Sequence, residues 1–198
     1  MLAYCRPVRF GILGTGFARS EDRHEAGSLH ETLMLPDVVK TLITRELNAV
    51  KREIEAYPDE ASVWRPIPGI SNTGGTLALH LAGNLQHFLG SILGRSGYKR
   101  DREAEFARRD VPRRELIAGI DAAIASVERT LGDFDAKKLS APYPEQIAQR
   151  RFSTEIWLAH LASHLAYHLG QIDYHRRAVT GDSRTVDAVS VRELPELS

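Results

Sequence analysis

Hydrophobic residues recur at intervals of three and four in four separate stretches of the chain, which is the period of a helix with one face in a core. The first stretch runs from Pro36 to Tyr57, with Val38, Val39, Leu42, Ile43, Leu47, Val50 and Ile54 on one face and charges on the other. Asp37 suits the positive end of the helix dipole, and Pro58 ends the helix. The second, from about Thr76 to Leu93, carries Leu77, Leu81, Leu85 and Phe88. Gly83 and Gly90 lie inside it. Each costs about 1 kcal/mol relative to alanine and is tolerated where helices approach closely. The third spans Val111 to Leu131, with Leu116, Ile120, Ala123, Ile124, Val127 and Leu131 facing inward. Asp110 is the expected N-cap, Pro112 falls in the first turn and Gly132 ends the helix. The fourth starts at Ser153 or Thr154 and ends near Ala178, with Leu158, Leu161, Leu165, Leu169 and Ile172 as its stripe.

The connections are long. Residues 58–75 hold three prolines and three glycines and are expected to be irregular, with Trp64 and Ile67 pinning them to the core. Residues 94–110 are highly charged, and residues 133–152 contain Pro142 and Pro144. No strand alternation of useful length and no internal repeat is present. The pattern predicts an all-α protein, a four-helix bundle with long crossover connections, over residues 34–180. Residues 181–198 form a tail in which VDAVSVREL adds a short strand or stays mobile.

Residues 1–33 do not share this pattern. VRFGILGTGFARS looks like a strand entering a dinucleotide-binding loop, with Gly14 and Gly16 as G-x-G. Arg19 stands where the third small residue belongs, and no helix or second strand follows, so an irregular N-terminal extension is the better reading. Met34 then becomes a candidate natural start.

Composition narrows the functional classes. A length of 198 residues suits one domain with appendages, and a 42% hydrophobic, 26% charged composition is that of a globular protein. A formal net charge of zero removes the positive field that non-specific nucleic-acid binding needs. No apolar run approaches the ~20 residues of a membrane helix. No basic segment leads into a long apolar run at the N-terminus, so no secretory leader is expected. Cys5 is the only cysteine and cannot form an internal disulfide, which fits a reducing, cytoplasmic setting.

The chemistry lies on polar stripes beside the apolar ones. WLAHLASHLAYHLGQIDYH, residues 157–175, holds His160, His164 and His168 at intervals of four, so their imidazoles stack on one helix face. His80, Asn84 and His87 form a similar stripe on the second helix. If the two helices are neighbours, His80 can meet His164 and His168, and three imidazoles with an open position match catalytic zinc and related sites. All-imidazole ligation suits Zn, Ni, Cu or Fe(II) rather than Mg or Ca. Gln171, three residues after His168, is placed to support a ligand or substrate. His160, His87 and His175 are rivals that spacing alone does not rank, and a surface or hydrogen-bonded core histidine is the ordinary alternative for each. A di-iron carboxylate centre needs two E-x-x-H pairs on helices, and the one match, Glu21 to His24, lies outside the bundle.

These motifs resemble those of the DinB/YfiT-like superfamily. HLAYHLGQ is similar to that family's last-helix H-x-x-x-H-x-G-Q, HLAGNL to its second-helix H-x-x-x-N-L, and YKRDREAEF to the R-D-R-x-x-E-F segment of one subgroup. The resemblance covers about residues 34–180 and implies a four-helix bundle of DinB/YfiT type. It implies a divalent metal, zinc or nickel, held by His80, His164 and His168, with Asn84 and Gln171 near it and His160 set aside. It also implies a metal-dependent S-transferase that joins a low-molecular-weight thiol to a small electrophile, in a homodimer, while charge, hydropathy and the lone cysteine give the expectation of a cytoplasmic protein with no nucleic-acid or membrane partner. The physics is coherent, because an ion held by three imidazoles lowers the pKa of a thiol or water that joins it. A metal-dependent hydrolase and a non-catalytic, stress-related metal-binding bundle are the alternatives. Glu105 and Asp101 on the charged crossover are candidates for general base or substrate anchor, against the plainer reading of a solvated loop.

Overall fold

The computed structural model describes residues 34–196. The glycine loop around Gly14 and Gly16, the Glu21–His24 pair and Cys5 lie outside them. Four long helices form the frame: α1 (Leu35–Glu55), α3 (Gly74–Leu85, continued by a π-helical segment Gln86–Leu93), α5 (Arg113–Gly132) and α6 (Thr154–Thr180). Two short helices lie in the connections, α2 (Glu60–Val63) and α4 (Arg102–Ala107). Among the described residues there is no strand, only isolated bridges such as Pro142 to Ser153.

Each long helix buries most of the stripe that its spacing predicts, but Val38 is exposed at the start of α1, and Leu42 and Ile124 are only half-buried. Ile43, Leu47 and Ile54 of α1, Leu77, Leu81 and Leu85 of α3, Leu116, Ile120 and Val127 of α5, and Leu158, Leu161, Leu165, Leu169 and Ile172 of α6 share one core. α1 and α3 each pack against both α5 and α6, so the core is a four-cornered bundle, and α4 lies on α3. α6 ends as expected at Gly181, whose left-handed φ of 69° suits a residue without a Cβ.

Several boundaries differ from expectation. α3 begins two residues early because Thr73 caps it, its side chain accepting from the Thr76 amide. Asp110 is not the cap of α5. It takes a left-handed φ of 55°, and Pro112 occupies the capping position. The second helix is not α-helical throughout. Its last two turns widen to a π-helix whose carbonyls also take side-chain donors, the Tyr143 hydroxyl on Phe88 and the Thr130 hydroxyl on Leu89. Trp64 is buried and donates its indole N–H to the Val111 carbonyl, which pins the first connection, while Ile67 is only half-buried. The tail adds no strand. Arg52 of α1 donates to the Val186 and Asp187 carbonyls and to Glu193, Arg176 and Arg177 donate to carbonyls of residues 182–184, and Val191–Glu193 forms a single 3-10 turn.

Candidate metal centre

α3 and α6 lie side by side, and their polar stripes meet. His80 Nε2 is 3.4 Å from His164 Nε2, which is 3.1 Å from His168 Nε2. The three imidazoles are edge-on to one another, with ring centroids 4.5 to 5.3 Å apart. His164 and His168 converge because one helical turn stacks them, and His80 arrives from the facing helix. The nitrogens are close enough together for one metal ion to reach all three.

The other ring nitrogens decide which way the lone pairs face. His80 Nδ1 is 3.0 Å from Glu105 Oε2, and His168 Nδ1 is 2.6 Å from Gln171 Oε1. Both oxygens accept, so both Nδ1 atoms carry the proton and both Nε2 lone pairs point at the shared centre. Arg100 approaches His80 Nδ1 at 3.4 Å, but that proton already goes to Glu105, so this is a packing contact. Burial and the neighbouring histidines push His164 down to about 4, and burial with the nearby His80 holds His168 below the ordinary range. Neutral imidazole is the ligating form. Three neutral nitrogen donors with no carboxylate among them fit a transition-metal divalent cation and do not fit Mg or Ca.

Glu105 is not part of a solvated loop. It is 6% exposed, and Arg100 donates to both of its oxygens, at 2.7 and 2.8 Å. Burial alone would raise its carboxyl, but the hydrogen bonds from Arg100 and His80 outweigh that and hold it below the ordinary carboxylate range. Gly83 makes the room, since a Cβ there would fall 2.1 Å from Glu105 Oε1. α4 brings Glu105 in, its N-terminus capped by Asp101, whose side chain accepts from the Ala104 amide. Asp101 itself is exposed.

The model of the DinB superfamily matches residues 42–172, more than half of the chain. The chain belongs to the DinB superfamily. No curated protein sequence matches it.

Within this DinB-superfamily bundle the candidate residues separate. His80, His164 and His168 come together. His160 is exposed and stacks on Trp157, with centroids 4.7 Å apart, and so leaves the cluster despite its spacing. His87 pairs with Glu145 at 3.0 Å on the π-helical segment. His175 is buried, with Tyr57 on one nitrogen and the Arg65 carbonyl on the other. Asn84 is one turn beyond His80 on the same face, 6% exposed, and its Oδ1 has no partner among the described residues. Residue spacing alone does not reveal Arg100. Its signal is the motif R-D-R-x-x-E-F, in which Arg100 and Glu105 sit five residues apart.

Proposed function

We propose that the protein is a metal-dependent enzyme in which His80, His164 and His168 hold one divalent ion, zinc or nickel, and which joins a low-molecular-weight thiol to a small electrophile. The observation that carries this reading is the convergence of three Nε2 atoms, two of them aimed by acceptors behind them. When bound, such an ion supplies Lewis acidity that makes a thiol or water nucleophilic near neutral pH. Glu105 keeps the His80 proton on Nδ1, Arg100 keeps Glu105 ionised, and Gln171 does for His168 what Glu105 does for His80.

One feature favours a thiol over water. Water starts near pKa ~15.7 and a thiol near ~8.5, so a thiol needs less help from the ion, and less from a nearby base, to become a nucleophile. Both oxygens of Glu105 are already engaged, by His80 and Arg100, so Glu105 is not free to act as that base, while Asp101 is exposed and caps α4 through Oδ1. We assign Glu105 to holding His80. The bundle is read as a homodimer on the strength of Ile156, Tyr167 and Tyr174, which lie on one exposed face of α6.

Protein purified without chelators or a histidine tag should contain about one zinc or nickel per chain by elemental analysis, as three converging imidazoles require. Loaded protein should then consume a thiol only when an electrophile is present. Equal electrophile loss without thiol would move the assignment to a hydrolase, and loss of neither would leave a binding protein. Light scattering decides the dimer.

A further inference from the structure

Beside the triad lies a cavity of about 480 Å³, between the first connection and the C-terminal half of α6. Ile67, Ile70, Leu77, Tyr174 and Ala178 form its apolar walls. Ser71 and Asn72 add neutral polar groups, and among the described residues no Asp, Glu, Lys or Arg lines it. His175 contributes to the lining, but both its nitrogens are engaged elsewhere. The volume falls in the ~300–1,000 Å³ range of small-molecule sites.

The cavity and the triad share a residue. Gln171 lines the cavity and accepts from His168 Nδ1 through its Oε1. That bond fixes the amide, and none of the described residues accepts from its NH2 group. On both flanking helices the step from triad to cavity is short. Gln171 follows His168 by three residues and Leu77 precedes His80 by three, a rise of about 4.5 Å in each case.

We propose that this cavity binds the electrophilic reactant, and that the reactant is an uncharged, largely apolar molecule with one hydrogen-bond acceptor, such as a carbonyl, held by the Gln171 NH2. This rests on the reading of the triad as a reaction centre. An ionised ligand would find no opposite charge on these walls among the described residues, a cost that a neutral ligand of the same shape avoids. On this proposal the cavity selects the carbon skeleton of the electrophile.

The test is equilibrium dialysis of 2-acetylnaphthalene and 2-naphthoate, the same ring system as a ketone and as a carboxylate, against metal-free and metal-loaded protein. The ketone should bind at least about tenfold more tightly than the carboxylate, a difference of about 1.4 kcal/mol. Ile70→Asp puts a charge in the wall and Ala178→Trp fills the space. Ile70 and Ala178 are both exposed, so the fold should hold by circular dichroism and metal content should not change. Each variant should weaken ketone binding at least about tenfold, by the same conversion. Equal binding of the carboxylate, no binding of the ketone, or unchanged ketone binding in both variants overturns the proposal. Ketone binding by protein that takes up neither zinc nor nickel when these are supplied would uphold the cavity and refute the metal reading, whereas metal uptake without ketone binding would do the reverse.

Discussion

α6 carries two polar clusters, two turns apart, one buried and one half-buried, built from the same kinds of side chain and closed in opposite ways. Around His175 and Arg176 the protein answers nearly every polar atom itself. His175 Nε2–H donates to the Arg65 carbonyl at 2.9 Å, so Nδ1 accepts the Tyr57 hydroxyl at 2.7 Å. Arg176, 1% exposed, donates to Glu53, Asp173 and two tail carbonyls. Around His164 the outer nitrogens of His80 and His168 are answered and the inner ones are not, since three Nε2 atoms face one another with too few protons to share. A histidine whose two nitrogens both find protein partners is a structural residue. Histidines whose partners lie behind them, leaving lone pairs aimed at a common point, form a site for something else.

The sharpest break in that comparison is alanine substitution on each side. His168→Ala or His80→Ala should abolish stoichiometric metal by elemental analysis while leaving the fold intact, because each removes a ligand and the core stripe survives. His175→Ala should do the opposite and keep the metal. Retained metal in either triad variant would sink the triad. On the closed side the large effect is on stability. Glu53→Ala leaves Arg176 buried without its partner, which costs about 3–5 kcal/mol. Urea denaturation reads that loss, and metal content should stay the same.

A smaller effect tests whether Glu105 belongs to the open cluster. Glu105→Gln keeps the shape but replaces an anion with a neutral amide between His80 and Arg100. Metal affinity should fall about 10–100-fold, the usual cost of losing a partner behind a ligating histidine. Chelator competition measures it. Gly83→Ala should move in the same direction, since its Cβ would displace the Glu105 carboxylate. Unchanged affinity in both would reduce Glu105 to a packing residue.

The two clusters were unequally legible in the sequence. The helices that carry them were readable from spacing, because Leu158 to Ile172 and Leu77 to Leu85 obey the helical period and occupy the core. Spacing also brought His80, His164 and His168 into view, and the resemblance chose them over His160. What spacing could not show was the protonation pattern. That depends on Arg100, Glu105 and Arg65, which come from irregular connections where no period operates. His160 illustrates the limit. It shares the interval of four with His164, yet stands at the edge of the stripe and turns to Trp157. The π-helical segment was equally hidden, and the donors that meet its carbonyls, Tyr143 and Thr130, come from distant parts of the chain.

The smallest expected effect is in the pH dependence of stability, and it separates the clusters only as a difference. Burial and the adjacent imidazoles push His164 down to about 4 in the folded protein, while in the unfolded chain it titrates near the ordinary ~6.5. Between those values the unfolded chain binds the extra proton and the folded one does not, so metal-free protein loses stability as pH falls from about 6.5 to 4. His175, also held low by burial, contributes with the same sign. Burial holds Glu53 above its ordinary value, so it works the other way, and the raw curve mixes the two. The informative quantity is wild type minus His164→Ala, measured by urea denaturation at each pH. That difference should be flat above pH ~6.5 and fall steadily below it, because only the wild type carries the His164 imidazole. A flat difference down to pH 4 would mean that His164 is as easily protonated as a surface histidine, and the two clusters would then no longer differ in the way their hydrogen bonds imply.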